Sequence, residues 1–96
     1  MSIEETVYQK REEIRRIAES HGAYNVRLFG SVARGEAGPD SDVDLLIDVG
    51  ENTSSWFPAG LILDLEELLG RKVDVVTEEA LRPELRPYVL PEAKPL

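Results

Sequence analysis

The 96-residue chain has no cysteine. It can build neither a disulfide frame nor a thiolate metal site, which suits a reducing cytoplasm. No apolar run approaches the ~20 residues that a membrane-spanning helix needs. The opening MSIEETVYQKREE mixes acid and base and is unlike a signal peptide. There is no internal repeat and no low-complexity tract. Positive charge is scarce: 11 Lys and Arg stand against 19 Asp and Glu, a formal net charge of −8. A protein that tracks along nucleic acid needs a basic footprint, so direct nucleic-acid binding is not expected. A small anionic ligand remains possible if a cation mediates, and the charge suits a cationic protein partner.

What is present is ordinary globular material, 42% hydrophobic and enough for one domain over residues 1–96. The spacing of Ile3, Val7, Ile14, Ile17 and Ala18 predicts a helix from Ile3 to Ser20. Ser2 and Glu5 form a capping box before it, and Gly22 ends it. His21 sits at that helix end as a polar residue favourable to the dipole. NVRLFG reads as a short strand with Val26 and Leu28 on one face, SVARG as a turn or a helical turn or two, and EAGPDS as a loop. DVDLLIDV is a second strand and KVDVV a third. Between them WFPAGLILDLEELLG reads as an amphipathic helix, with Leu61, Leu65 and Leu68 or Leu69 inward and Gly70 at its stop. Core packing is expected of at least one of Trp56 and Phe57. Thr77 reads as an N-cap opening a tail broken by four prolines, where one or two short helices and a frayed end are expected, with residues 82–96 loosely structured. The expected class is α/β of the α+β type: a small mixed sheet of about three strands flanked by helices. The first two strands should be antiparallel, the second and third parallel through a right-handed crossover.

The chemistry gathers on three aspartates. Side chains alternate along a strand, so Asp42 and Asp44 share a face with α-carbons ~6.6 Å apart. Two carboxylates ~5 Å apart repel by roughly 3 kcal/mol at an effective dielectric near 20, a large cost for a small domain. A divalent cation with oxygen ligands is the usual compensation. Asp74 breaks the apolar KVDVV strand in the same way, and if it shares their face three carboxylates converge. Such a trio can hold two magnesium ions for phosphoryl chemistry, or Asp74 can act as general base. The turn GSVARG supplies the complement. Gly30 lets backbone approach a ligand, Ser31 can cap a turn whose free N–H groups attract phosphate, and Arg34 adds positive charge. Arg34 could equally pair with Glu36 or Asp40. A calcium loop through Asp40, Asp42, Asp44 and Glu51 is disfavoured by Leu45, which stands where the sharp turn needs glycine.

GSVARGEAGPDSDVDLLI, Gly-Ser then Asp-x-Asp after ten residues, resembles the signature of the DNA polymerase beta-like nucleotidyltransferases. The GSxARG, SDVDLL and VDVVT forms look most like the minimal, MNT-type antitoxin branch, over roughly Ile3 to Leu90. The resemblance implies the nucleotidyltransferase fold and Mg2+-dependent transfer of AMP from ATP to a tyrosine hydroxyl of a cognate HEPN-type ribonuclease toxin, silencing it in the cytoplasm. It implies Gly30 and Ser31, with Arg34, as nucleotide-binding residues. It implies Asp42 and Asp44 as metal ligands and Asp74 as ligand or base, with two Mg2+ ions. No second domain that would grip a primer, tRNA or antibiotic is apparent, so polymerase and tRNA-extending roles are not expected. The alternative is a non-catalytic module that neutralises the partner by complex formation alone; retention of all five of Gly30, Ser31, Asp42, Asp44 and Asp74 favours the enzyme.

Overall fold

The structure, a computed structural model, describes Ser2 to Leu96. Ser2 caps the first helix as expected: its Oγ accepts the Glu5 N–H at 3.1 Å. The expected single helix is two, α1 (Ile3–Gln9) and α2 (Arg11–Ser20). The break at Lys10 carries no proline or glycine. It lies where the Arg11 guanidinium donates to the Tyr8 carbonyl (2.9 Å), a side chain entering the helical ladder, and Lys10 Nζ there reaches across to the Leu68 carbonyl. The apolar stripe is kept through the kink, with Val7, Ile14 and Ala18 buried.

After Gly22, whose φ of +85° suits glycine, β1 runs Ala23–Phe29. It leads into α3 (Gly30–Ala33), a single helical turn, and then through a loop to β2 (Val43–Val49). Helix α4 covers Ala59–Leu69, buries Leu61, Leu65 and Leu69, and stops at Gly70 with φ +67°. Pro58 lies just before it, at the N-cap position, and Phe57 packs on the core while Trp56 is 88% exposed. Strand β3 is Val73–Thr77. β1 and β2 are antiparallel and β2 and β3 parallel, as the connection lengths require.

The tail holds a short helix, as expected, but it is packed and its end is tied down rather than loose and frayed. Residues Arg86–Glu92 form helix α5, and Lys94–Pro95 form β4, antiparallel to β1. The sheet therefore has four strands, in the order β3-β2-β1-β4. The tail is held because it has apolar anchors: Val89 packs with Leu46 and Leu81, and Leu96 is buried in the main core and donates its N–H to the Val26 carbonyl. Thr77 caps a turn rather than a helix, its Oγ1 accepting the Ala80 N–H at 3.2 Å.

Alternation divides the sheet. Val26, Leu28, Val43, Leu45, Ile47, Val73 and Val75 face the main core with α1, α2 and α4. The opposite face carries Leu46 and Val76, which with Phe29 pack beneath α5, and two of the aspartates.

Candidate active site

Asp44 sits at the second position of β2, where the pleat turns it away from the buried Val43 and Leu45. The strand register sets it opposite Phe29 on β1 and opposite Asp74 on β3. Asp74 is exposed between the buried Val73 and Val75. Asp42 lies one residue before the strand, exposed, and shares the Asp44 face by the same period of two.

Asp44 is the electrostatic centre of the group. Burial raises its pKa, and the neighbouring charges of Asp74 and Asp42 raise it further, from 3.8 to about 6; Arg34 acts weakly in the other direction. Burial is the larger cause and the like charges the smaller, and both disfavour the ionised form. Among the described residues no group of three or more acidic or histidine side chains is placed to hold a metal ion. Magnesium does not require such a group, since it usually keeps waters and takes one or two carboxylates plus substrate phosphates. The donors are all hard oxygens and carry excess negative charge, so they fit a hard divalent cation.

Gly30 is built against this carboxylate. Its φ is +76°, and a Cβ there would collide with Asp44 Oδ2. Only glycine combines that backbone with so close an approach. Ser31 does not cap the following turn as expected. Helix α3 already starts at Gly30, so Ser31 lies within it, and the Gly30 N–H is met by the Glu92 carboxylate instead (2.8 Å). Arg34 pairs with Glu36 (2.9 Å), as weighed from sequence, but also with Glu92 (3.0 and 3.2 Å) and not with Asp40. Lys94, the neighbouring tail cation, donates to the Ala33 carbonyl at the end of α3 (2.7 Å). Glu92 and Lys94 are thus parts of the site that sequence reasoning missed. The one available signal was weak: Glu92 follows the apolar Val89 by three residues, one helical turn. Beside Asp42 a cleft of about 430 Å³ opens, lined by Asp40, Ser41, Gly70, Arg71 and Lys72. Arg71 closes its wall by donating to the Gly38 carbonyl at 3.0 Å.

The nucleotidyltransferase domain family model matches residues 9–95. The chain belongs to the nucleotidyltransferase domain family. It is an enzyme of the nucleotidyltransferase class. Among similar nucleotidyltransferases is the protein adenylyltransferase MntA of Thermococcus cleftensis, 39% identical over 90 residues, which cover 94% of this chain and 88% of the relative. A solved structure described as a candidate minimal nucleotidyltransferase is 50% identical, with a TM-score of 0.85 over 100% of this chain and 97% of that one. The fold also matches a crystal structure of a toxin–antitoxin with AMP-PNP, at 21% identity and a TM-score of 0.72, covering 88% of this chain and 69% of that one. Among the described residues no helix is long and apolar enough to cross a membrane.

Proposed function

We propose that this nucleotidyltransferase moves AMP from ATP to a tyrosine hydroxyl of a cognate HEPN-type ribonuclease toxin in the cytoplasm, acting as the antitoxin. The observation that carries the reading is the placement of Asp44: in register with Asp74, against a side-chain-free Gly30, and charged at a cost that a cation would relieve. The relative named as a protein adenylyltransferase supports transfer to protein, and the fold neighbour described as a toxin–antitoxin with AMP-PNP supports a toxin partner and an adenine nucleotide.

Asp42 and Asp44, with Asp74, would hold Mg2+, two ions in all, beside the triphosphate. Bound magnesium would supply charge neutralisation on the phosphates and polarise the reacting phosphoryl group. Gly30 and Ser31 would receive the triphosphate, Gly30 through its N–H and by bringing the turn close against Asp44, and Arg34 would offset its charge. The incoming hydroxyl oxygen forms a bond to the α-phosphorus while the bond to pyrophosphate breaks. Asp74, the most open of the carboxylates in β2 and β3, would take the hydroxyl proton if it is not itself a ligand.

Intact-mass spectrometry tests this on the protein encoded beside this one, after incubation with ATP and Mg2+. Wild-type chain should add one or more AMP units and Asp42→Asn none. A stable complex of the two proteins with no mass gain would sink AMP transfer to this partner and leave neutralisation by binding, or transfer from another nucleotide.

A further inference from the structure

Glu92 holds an unusual position for a tail residue. It is the last residue of α5, 62 positions from Gly30, yet its Oε2 accepts the Gly30 N–H at 2.8 Å. The same carboxylate takes two contacts from Arg34 Nη1, at 3.0 and 3.2 Å. Its side chain is only 24% exposed. The placement is enforced from behind, because Val89, one turn earlier, is seated on Leu46 and Leu81, and Leu96, just beyond, is bonded to Val26. The anchored segment therefore delivers a carboxylate to the backbone N–H and the guanidinium that face the aspartates. It adds a fourth negative charge to a group that is already overcharged, Glu92 being among the charges that oppose ionisation of Asp44. A purely structural ion pair has no need of that neighbourhood.

We propose that Glu92 is a built-in stand-in for phosphate: it occupies the Gly30 N–H and Arg34 in the nucleotide-free chain, and the triphosphate must displace it to bind. This rests on the assignment of the Gly30–Ser31 turn to the triphosphate. A carboxylate and a phosphate ask for the same donors, so both cannot hold them at once. The apparent nucleotide affinity is then reduced by the fraction of molecules in which Glu92 is docked. The tail segment becomes a gate on the site rather than a cover beside it.

The test is calorimetric titration of AMP-PNP with Mg2+ into wild type, Glu92→Gln and Glu92→Asp, with thermal melts to show that each is folded. Glu92→Gln keeps the shape and removes the charge. Glu92→Asp keeps the charge and withdraws it by one methylene. Both should tighten AMP-PNP by about three- to tenfold, the range of a modest ion pair. Tightening in Glu92→Gln alone would mean general charge repulsion and overturn the proposal. Unchanged or weaker binding in both would overturn it as well, with Glu92 instead positioning Arg34 and the nucleotide site left standing. No binding by wild type or by either variant would bring down the nucleotide assignment with it. In the wild-type chain, AMP-PNP should speed hydrogen exchange over Arg86–Leu96 as Glu92 leaves; slower or unchanged exchange there would count against displacement.

Discussion

At the scale of single residues, Asp44 and Gly30 make the sharpest claims. Native Asp44 keeps its proton to about pH 6, whereas an unfolded chain releases it near 3.8. The native state binds more protons between those values, so stability falls as pH rises through that window. The contribution is complete below about pH 4 and gone above about pH 6. Discounted for solvent screening, it amounts to about 1–2 kcal/mol. Urea unfolding in metal-free buffer should show this decline, and Asp44→Asn should flatten it while abolishing transfer. A decline of the same size in the mutant would place the titration elsewhere. Gly30→Ala is expected to act in the opposite sense. Its side chain would meet Asp44 and its φ would be strained, at a cost of about 1–3 kcal/mol. It should lose transfer even at pH and temperature where the fold is intact, because what it displaces is the carboxylate itself. Wild-type turnover by a folded Gly30→Ala would show that Asp44 has room to move.

At the scale of elements, the two faces of the sheet separate stability from site. Leu65 lies on α4 over the main core and is 1% exposed. Leu65→Ala should cost about 2–5 kcal/mol by denaturant unfolding, with little effect on nucleotide binding in the folded fraction. Val89 lies on α5 over the other face. Val89→Ala should cost about 1–3 kcal/mol and also loosen Glu92, so in the folded fraction AMP-PNP should bind more tightly and the tail amides should exchange faster. Equal behaviour of the two variants toward AMP-PNP would mean that α5 does not communicate with the site. The contrast also marks what could be read from sequence. The strands, their pairing senses, the inward face of α4 and the shared face of Asp42 and Asp44 follow from periods of 2 and 3.6 and from connection lengths, all of them local, whereas the pairing of Asp74 with Asp44 depends on the register between β2 and β3 and is open from sequence. The position of Glu92 follows from contacts made across the chain, with Gly30 and Arg34. No periodicity encodes a partner some 60 residues away. In the tail a short helix is expected among the four prolines, but not what holds it: its stability comes from Val89 and its seat on Leu46 rather than from propensity, since Pro91 lies inside it.

At the scale of the molecule, the charge of −8 acts on a body with a radius of gyration of 12.5 Å. That dimension is comparable to the Debye length of ~10 Å at 0.1 M salt, so repulsion is felt across the whole chain at low salt and fades above it. Sodium chloride should therefore raise the melting temperature of wild type and of Asp44→Asn in parallel. Magnesium should do something more. At matched ionic strength it screens no better than sodium chloride does, and any further stabilisation has to come from binding at a site. At tenfold excess over its dissociation constant it would add about 1.4 kcal/mol, or several degrees in melting temperature for a domain of this size. Because the site as read centres on Asp44, that increment should be present in wild type and missing in Asp44→Asn, while the sodium chloride effect survives in both. A magnesium increment that persists in the mutant would mean that the ion binds elsewhere on the acidic surface, and the carboxylates of β2 and β3 would then need another explanation for their excess charge.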